Sequence, residues 1–198
     1  MPFKYNPFTN KFDEVNSGGG GSSADRSTTL ISTATASSDT TIDFTGLSAN
    51  MYLLVGRDVM YGDSFSSNRY LQFRTRVQGG SFESGASDYA WSATGRTSSG
   101  SSTSTNDSAD SQIVSRMSSA DTDSTGLRMY CEVYIQNLAT ASRSTSISGT
   151  CYGTDGDHVI FSGIRNADQD DDGIQIFSST GKIEAGTFYL YEITEGTL

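Results

Sequence analysis

Proline and cysteine each occur only twice in this 198-residue chain, histidine once and lysine three times. Two cysteines, Cys131 and Cys151, are too few and too far apart for a zinc site. Both stand in strand-like runs, which predicts buried free thiols over a disulfide. With His158 the only histidine, every Ser/His/Asp or metal–histidine scheme must pass through it. It opens a strand-like segment without a G-x-S-x-G elbow and reads as structural. The six glutamates are scattered and the 17 aspartates lie mostly in turn-like contexts, so no carboxylate pair of glycosidase type can be placed. The glycine pair in VQGGSFESG reads as a hairpin turn, since neither a Lys-Ser/Thr nor a helix follows it. No constellation announces a reaction, and the chain is read as a non-enzyme.

The shortage of lysine goes with a net charge of −10 at pH 7. No basic stripe is available to neutralise a phosphate backbone, which excludes nucleic acid and anionic membrane as expected partners. The longest apolar stretches, such as residues 51–55, fall far short of the ~20 residues a membrane-spanning helix needs. The opening MPFKYNPFTN has no apolar core and no small-residue cleavage site, so it is not read as a secretory signal, and a chain made and folded in a cytosol is expected.

What the chain has in quantity is serine and threonine, 56 positions together, with 21 glycines and only 34% hydrophobic residues. Such polarity could signal disorder. The 11% aromatic content argues otherwise, because the apolar residues gather in short blocks. Three zones follow. Residues 1–16 interleave Phe3, Tyr5, Phe8 and Phe12 with asparagine and Pro7; residues 17–27 are a Gly/Ser-rich run of flexible-linker composition; residues 28–198 form the folded domain. Within that domain, period-two alternation or short apolar runs mark strands at 28–34, 41–44, 51–58, 70–77, 89–92, 112–117, 128–138, 145–152, 158–164, 173–177 and 187–193. In 128–138, Met129, Cys131, Val133 and Ile135 point one way, and Tyr130, Glu132, Tyr134 and Gln136 the other. About eleven short antiparallel strands, with no convincing helical period, predict an all-β sandwich or jelly roll preceded by an extended N-terminal anchor peptide. Residues 94–111 lack periodicity and apolar residues and read as a long surface loop.

Two clusters suggest ligands. Asp168, Asp170, Asp172 and Gly173 match the opening of a D-x-D-x-D-G calcium loop, in which oxygens at alternating positions converge on a hard cation. Position 179, where a bidentate glutamate is expected, holds serine, and the following segment reads as a strand. Calcium is thus weighed against a solvated hairpin end, and no other cofactor is implied. Tyr61, Tyr89 and Trp91 could offer flat faces to sugar rings, although strand aromatics commonly serve packing.

The segment YNPFTNKFDEV resembles the K-x-N-P-F-T-G-x-L-D opening that recurs in structural proteins of tailed bacteriophages. Asn6, Pro7, Phe8 and Thr9 match, Asn10 replaces the usual glycine, and Phe12 and Asp13 occupy the apolar–acidic position. The closing GIQIFSSTGKIEAGTFYLYEI resembles the G-I-R-F-x-x-S-S-G-x-I-x-x-G-T-x-x-L-Y-G-I ending of β-rich domains in phage and prophage virion proteins. Gly173, Ile174, Ser179, Gly181, Ile183, Gly186, Thr187, Leu190, Tyr191 and Ile193 correspond, with Glu192 at the expected glycine. Residues 29–59 and the segment GGSFESGASDYAWS are similar to the same domain's earlier strands, so the resemblance touches about half the chain. It implies a virion protein, assembled in a bacterial cytoplasm, that docks on other phage structural proteins through Phe3, Tyr5, Asn6, Pro7, Phe8 and Phe12. It further implies a homotrimer that contacts a host-surface glycan or protein. A short tail fibre or appendage is expected first and a head fibre or capsid decoration protein second. A stand-alone carbohydrate-binding or hydrolytic β domain is the reading from another class.

Overall fold

A computed structural model describes residues 3–6, 11–14, 27–62, 70–96, 100–115, 128–179 and 181–194. It divides the chain into two compact units, Thr28–Thr194 and Met1–Ser27 with Glu195–Leu198. In the smaller unit, β1 (Phe3–Asn6) pairs antiparallel with β2 (Lys11–Glu14), setting Tyr5 opposite Phe12 and Asn6 opposite Lys11. The peptide expected to be extended at the N-terminus is extended over both described segments, which pair with each other: aromatic residues at alternate positions suit paired strands. Pro7 and Phe8, and residues 17–26 of the expected linker, lie outside the described residues.

The larger unit is all-β and consists of two antiparallel sheets, consistent with a β-sandwich. Its strands are β3 (Ser27–Asp39), β4 (Thr41–Thr45), β5 (Met51–Tyr61), β6 (Leu71–Val77), β7 (Tyr89–Arg96) and β8 (Ser102–Asp110), then β9 (Ile113–Val114), β10 (Met129–Gln136), β11 (Ser144–Gly153), β12 (His158–Asp168), β13 (Asp171–Ser178) and β14 (Ile183–Thr194). An eight-stranded sheet runs β3-β14-β5-β10-β11-β12-β7-β8, and a four-stranded sheet runs β4-β13-β6-β9. The C-terminal motif spans β13 of the smaller sheet and β14 of the larger. At Gly186 (φ +128°) the β5–β14 register shifts, and an added Cβ would lie 2.8 Å from Val59 Cα; only glycine suits that position.

The alternation in 128–138 becomes the fold's organising feature. Met129, Cys131, Val133 and Ile135 are buried, while the intervening residues face solvent. On β12, Val159, Phe161, Gly163 and Arg165 take the inner positions. Phe161 stacks on Phe73 of β6 with ring centroids 5.4 Å apart. Beside them Ile113 closes on Gly163, where a Cβ would lie 2.7 Å from the Ile113 side chain. Each large apolar side chain buried between the sheets contributes about 1.5–3 kcal/mol. Cys131 and Cys151 are buried, free and directly opposite each other on β10 and β11. The Cys131 thiol beside it, together with burial, pushes the Cys151 thiol well up.

Most of the segment expected as a loop at 94–111 is corrected to strand: residues 94–96 end β7 and Ser102–Asp110 form β8, while residues 97–99 lie outside the described residues. Over most of its length β8 pairs with β7, from Arg96–Ser102 to Tyr89–Asp110. An edge strand with two wet faces carries no alternation of polarity, so its Ser/Thr-rich sequence hid it.

Where β12 ends and the chain crosses to β13, the inward-facing Arg165 meets Asp171. The Arg165 guanidinium pairs with Asp171 through Nη1 and with Gln169 Oε1 through Nη2 at 2.7 Å. Thr145 Oγ1 donates to Asp171 Oδ2 at 2.8 Å, and the Asp171 N–H donates to the Leu138 carbonyl at 2.8 Å. Burial raises the Asp171 carboxyl above its usual range, against the lowering effects of Thr145 and Arg165. Replacing Arg165 by methionine leaves that carboxylate without its counter-charge, at a cost of about 3–5 kcal/mol at pH 7 in urea unfolding. Because a raised pKa favours the fold in acid and opposes it as pH rises, the deficit shrinks toward pH 4. A deficit of the same size at both pH values would contradict this pairing.

Candidate functional site

Of the residues singled out for sugar contact, Tyr61 and Tyr89 are 0% exposed and Trp91 is 8% exposed. They are corrected to core residues, because each lies on the inward phase of its strand or is tied to a neighbour. The Tyr61 hydroxyl lies 4.0 Å from Met129 Sδ. The Tyr89 oxygen accepts the Thr75 N–H at 2.9 Å across the sandwich, and the Trp91 indole N–H donates to Asp110 at 2.9 Å.

The aspartate triplet is likewise not assembled as one ligand set. Asp172 takes a two-pronged contact from Arg76, at 2.7 and 2.9 Å, which holds its carboxyl below the usual range. Asp168 accepts from Ser144 Oγ at 2.8 Å, and the Asp170 carbonyl accepts the Gln78 N–H. Among the described residues, no group of three His, Cys, Asp or Glu side chains is disposed to hold a metal ion. Alternation explains the outcome: Asp171, between the predicted ligands, turns inward to Arg165. His158 is exposed, its ring stacked on Tyr152 at 6.5 Å. For the anchor residues Phe3, Tyr5, Asn6 and Phe12 the backbone pairing alone is described.

Exposed rings and aliphatic chains gather elsewhere, on the outer face of the eight-stranded sheet. Tyr130, Tyr134, Tyr152, Ile160 and Ile164 are each 41–54% exposed and lie on β10, β11 and β12. Strand register sets them in rows. Tyr134 lies in line with Leu53 on one side and with Ser148, Ser162 and Ser92 on the other. The next row runs Val55, Glu132, Thr150, Ile160 and Thr94, and the next contains Tyr130, Tyr152, His158 and Arg96. A β-bulge in β5 puts Asp58 in a left-handed conformation (φ +53°), where it accepts the Tyr130 hydroxyl at 2.8 Å. That hydrogen bond raises the Tyr130 pKa.

Between the rings the face is lowered by serines and glycine. A shallow depression of about 470 Å³ lies over Ser148, Gly149 and Ser162, bounded by Tyr134, Glu132 and Ile160. A second continues over Ser146 toward Asp107 and Ile164, and a third lies between Tyr130, Tyr152, Arg57 and Asp58. The face therefore mixes exposed rings, aliphatic chains, hydroxyls and isolated charges. The sequence signal was the outward phase of 128–138, which carries Tyr130 and Tyr134 at positions where a solvated strand needs only polar residues.

Comparison with protein-family models and with curated proteins returned no match.

Core and face are separable by mutation. Tyr89→Phe strands the buried Thr75 N–H and costs about 1–3 kcal/mol in urea unfolding, whereas Tyr134→Ala on the outer face stays within about 0.5 kcal/mol of the parent. A Tyr134→Ala loss equal to that of Tyr89→Phe would contradict the assignment of the face as solvent-exposed.

Proposed function

We propose that this chain is a structural protein of a tailed-phage virion, a short tail fibre or appendage that docks through its N-terminal unit and presents the sandwich to the host surface. The observation that carries the proposal is the division of the chain. The segment resembling the phage anchor motif belongs to a small unit of its own, and the sandwich begins immediately after the Gly/Ser-rich run. A tethered docking segment can bury its aromatic residues on a partner while the attached domain keeps its freedom to reorient. The tyrosine-bearing outer face gives the sandwich a surface with which to make contact.

The composition agrees with docking and display. Apolar side chains are concentrated between the sheets and aromatic residues recur in the anchor. Symmetric appendages are commonly closed rings of identical chains, and three copies would bring three anchors to one site, where linked binding multiplies their hold.

Deleting residues 1–16 is expected to abolish incorporation into particles, read by immunoblot of purified virions, while the truncated protein accumulates in infected cells. Incorporation at the parental level would overturn the anchor. Sedimentation equilibrium of the full chain is expected to give three times the monomer mass of 21.1 kDa; a stable monomer would overturn the trimer.

A further inference from the structure

We infer that the outer-face groove over β10, β11, β12 and β7 binds a neutral polysaccharide, with the Tyr134 ring as the stacking surface and Glu132 as the main hydrogen-bond acceptor. This rests on the reading of the sandwich as the host-contacting part of the chain and names the ligand class and the place.

The three depressions adjoin one another. The first and second share Ser92, Ser148 and Ser162, and the first and third share Glu132. Together they make an oblique track from the Tyr152–His158 row to the Ile164 row. Those rows are six residues apart on β12, about 20 Å at ~3.3 Å per residue. A track of that length suits a chain of linked units better than a single small molecule. It lies on central strands paired on both sides, so the main chain beneath it is already fixed and little ordering cost falls on binding.

The lining selects the chemistry. Ser92, Ser148, Thr150 and Ser162 put hydroxyls along the track, and a hydroxyl both donates and accepts. A ligand rich in hydroxyls can satisfy that floor, whereas an apolar segment would strip it of water without replacing the hydrogen bonds. Serines also separate Tyr134 from the aliphatic chains of Ile160 and Ile164, so the rings and aliphatics do not merge into the continuous apolar surface that a second copy of the chain would need. The Tyr134 ring, 42% exposed, offers an apolar flat beside the hydroxyls, which matches the two-sided character of a pyranose ring.

Charge narrows the class further. The Glu132 carboxylate makes no hydrogen bond or ion pair among the described residues, leaving both oxygens to accept neighbouring ligand hydroxyls in charge-assisted bonds. Asp107 borders the same track and the whole chain carries −10. Arg57, Arg96 and His158 lie toward the Tyr152 end, away from the Ser148–Ser162 floor. An acidic polysaccharide would meet Glu132 and Asp107 as like charges.

The test uses the full chain on an immobilised panel of neutral glucose, galactose, mannose and N-acetylglucosamine hexamers, with uronate and sialylated oligomers alongside. Binding to at least one neutral oligomer is expected, weakened at least tenfold by Tyr134→Ala, by Glu132→Gln and by Ser162→Gln, which fills the shared floor. The variants are expected to melt within about 2 °C of the parent. No binding, binding confined to acidic oligomers, or neutral binding that survives all three substitutions would overturn the site. So would substitutions that dissociate an oligomer with no effect on glycan binding, since the face would then be covered by a second copy. Loss of the groove while residues 1–16 remain essential for incorporation would leave the virion reading intact; the reverse result would overturn that reading and keep the groove.

Discussion

Eight strands on one side of the sandwich face four on the other. The smaller sheet covers the inner face of the larger, and it does so at close range: Phe73 lies on Phe161 and Ile113 fills the place where Gly163 has no side chain. The price of this arrangement is strict alternation in the central strands, because a one-residue slip would exchange every core residue for a solvent-facing one. The outer face follows from the same constraint. Once Met129, Cys131, Val133 and Ile135 are committed inward, Tyr130, Glu132, Tyr134 and Gln136 must stand outward.

The polar network at the β12–β13 crossing serves the same end. Arg165 occupies an inward position where an apolar residue would be expected, and Asp171 and Gln169 meet its guanidinium. A buried ion pair contributes little net stability against its desolvation, but it is directional. It ties the last inward residue of β12 to the first residue of β13, and Thr145 of β11 binds the same carboxylate. The asymmetry of cost, small when the pair is intact and large when one partner is lost, favours this crossing over alternatives that would leave a charge alone.

Much of the fold was legible in the sequence because the core strands alternate so regularly. The all-β class and most strand positions follow from period-two patterning. The edge strand β8 was not legible: with both faces wet, STSTNDSAD carries no pattern that distinguishes it from a loop. The three sugar-contact candidates lie in the core for a different reason. Tyr61, Tyr89 and Trp91 were chosen as aromatics in strands, but which phase of a strand faces inward depends on its partners across the sandwich. Tyr89, for example, reaches Thr75 on the opposite sheet. The D-x-D-x-D spacing treats a turn as a loop with converging oxygens, whereas this chain enters a strand there and Arg76 engages Asp172.

The proposed function joins docking by the N-terminal unit to presentation of the outer face of β10–β12. A reconstruction of the intact particle by electron cryo-microscopy tests them together. Density for β1 and β2 is expected against a tail protein, with the sandwich projecting outward and Tyr134 and Ile160 facing solvent. Density on the capsid would move the protein to the head, and a sandwich whose outer face is buried against the particle or a neighbouring copy would overturn the presentation of that face.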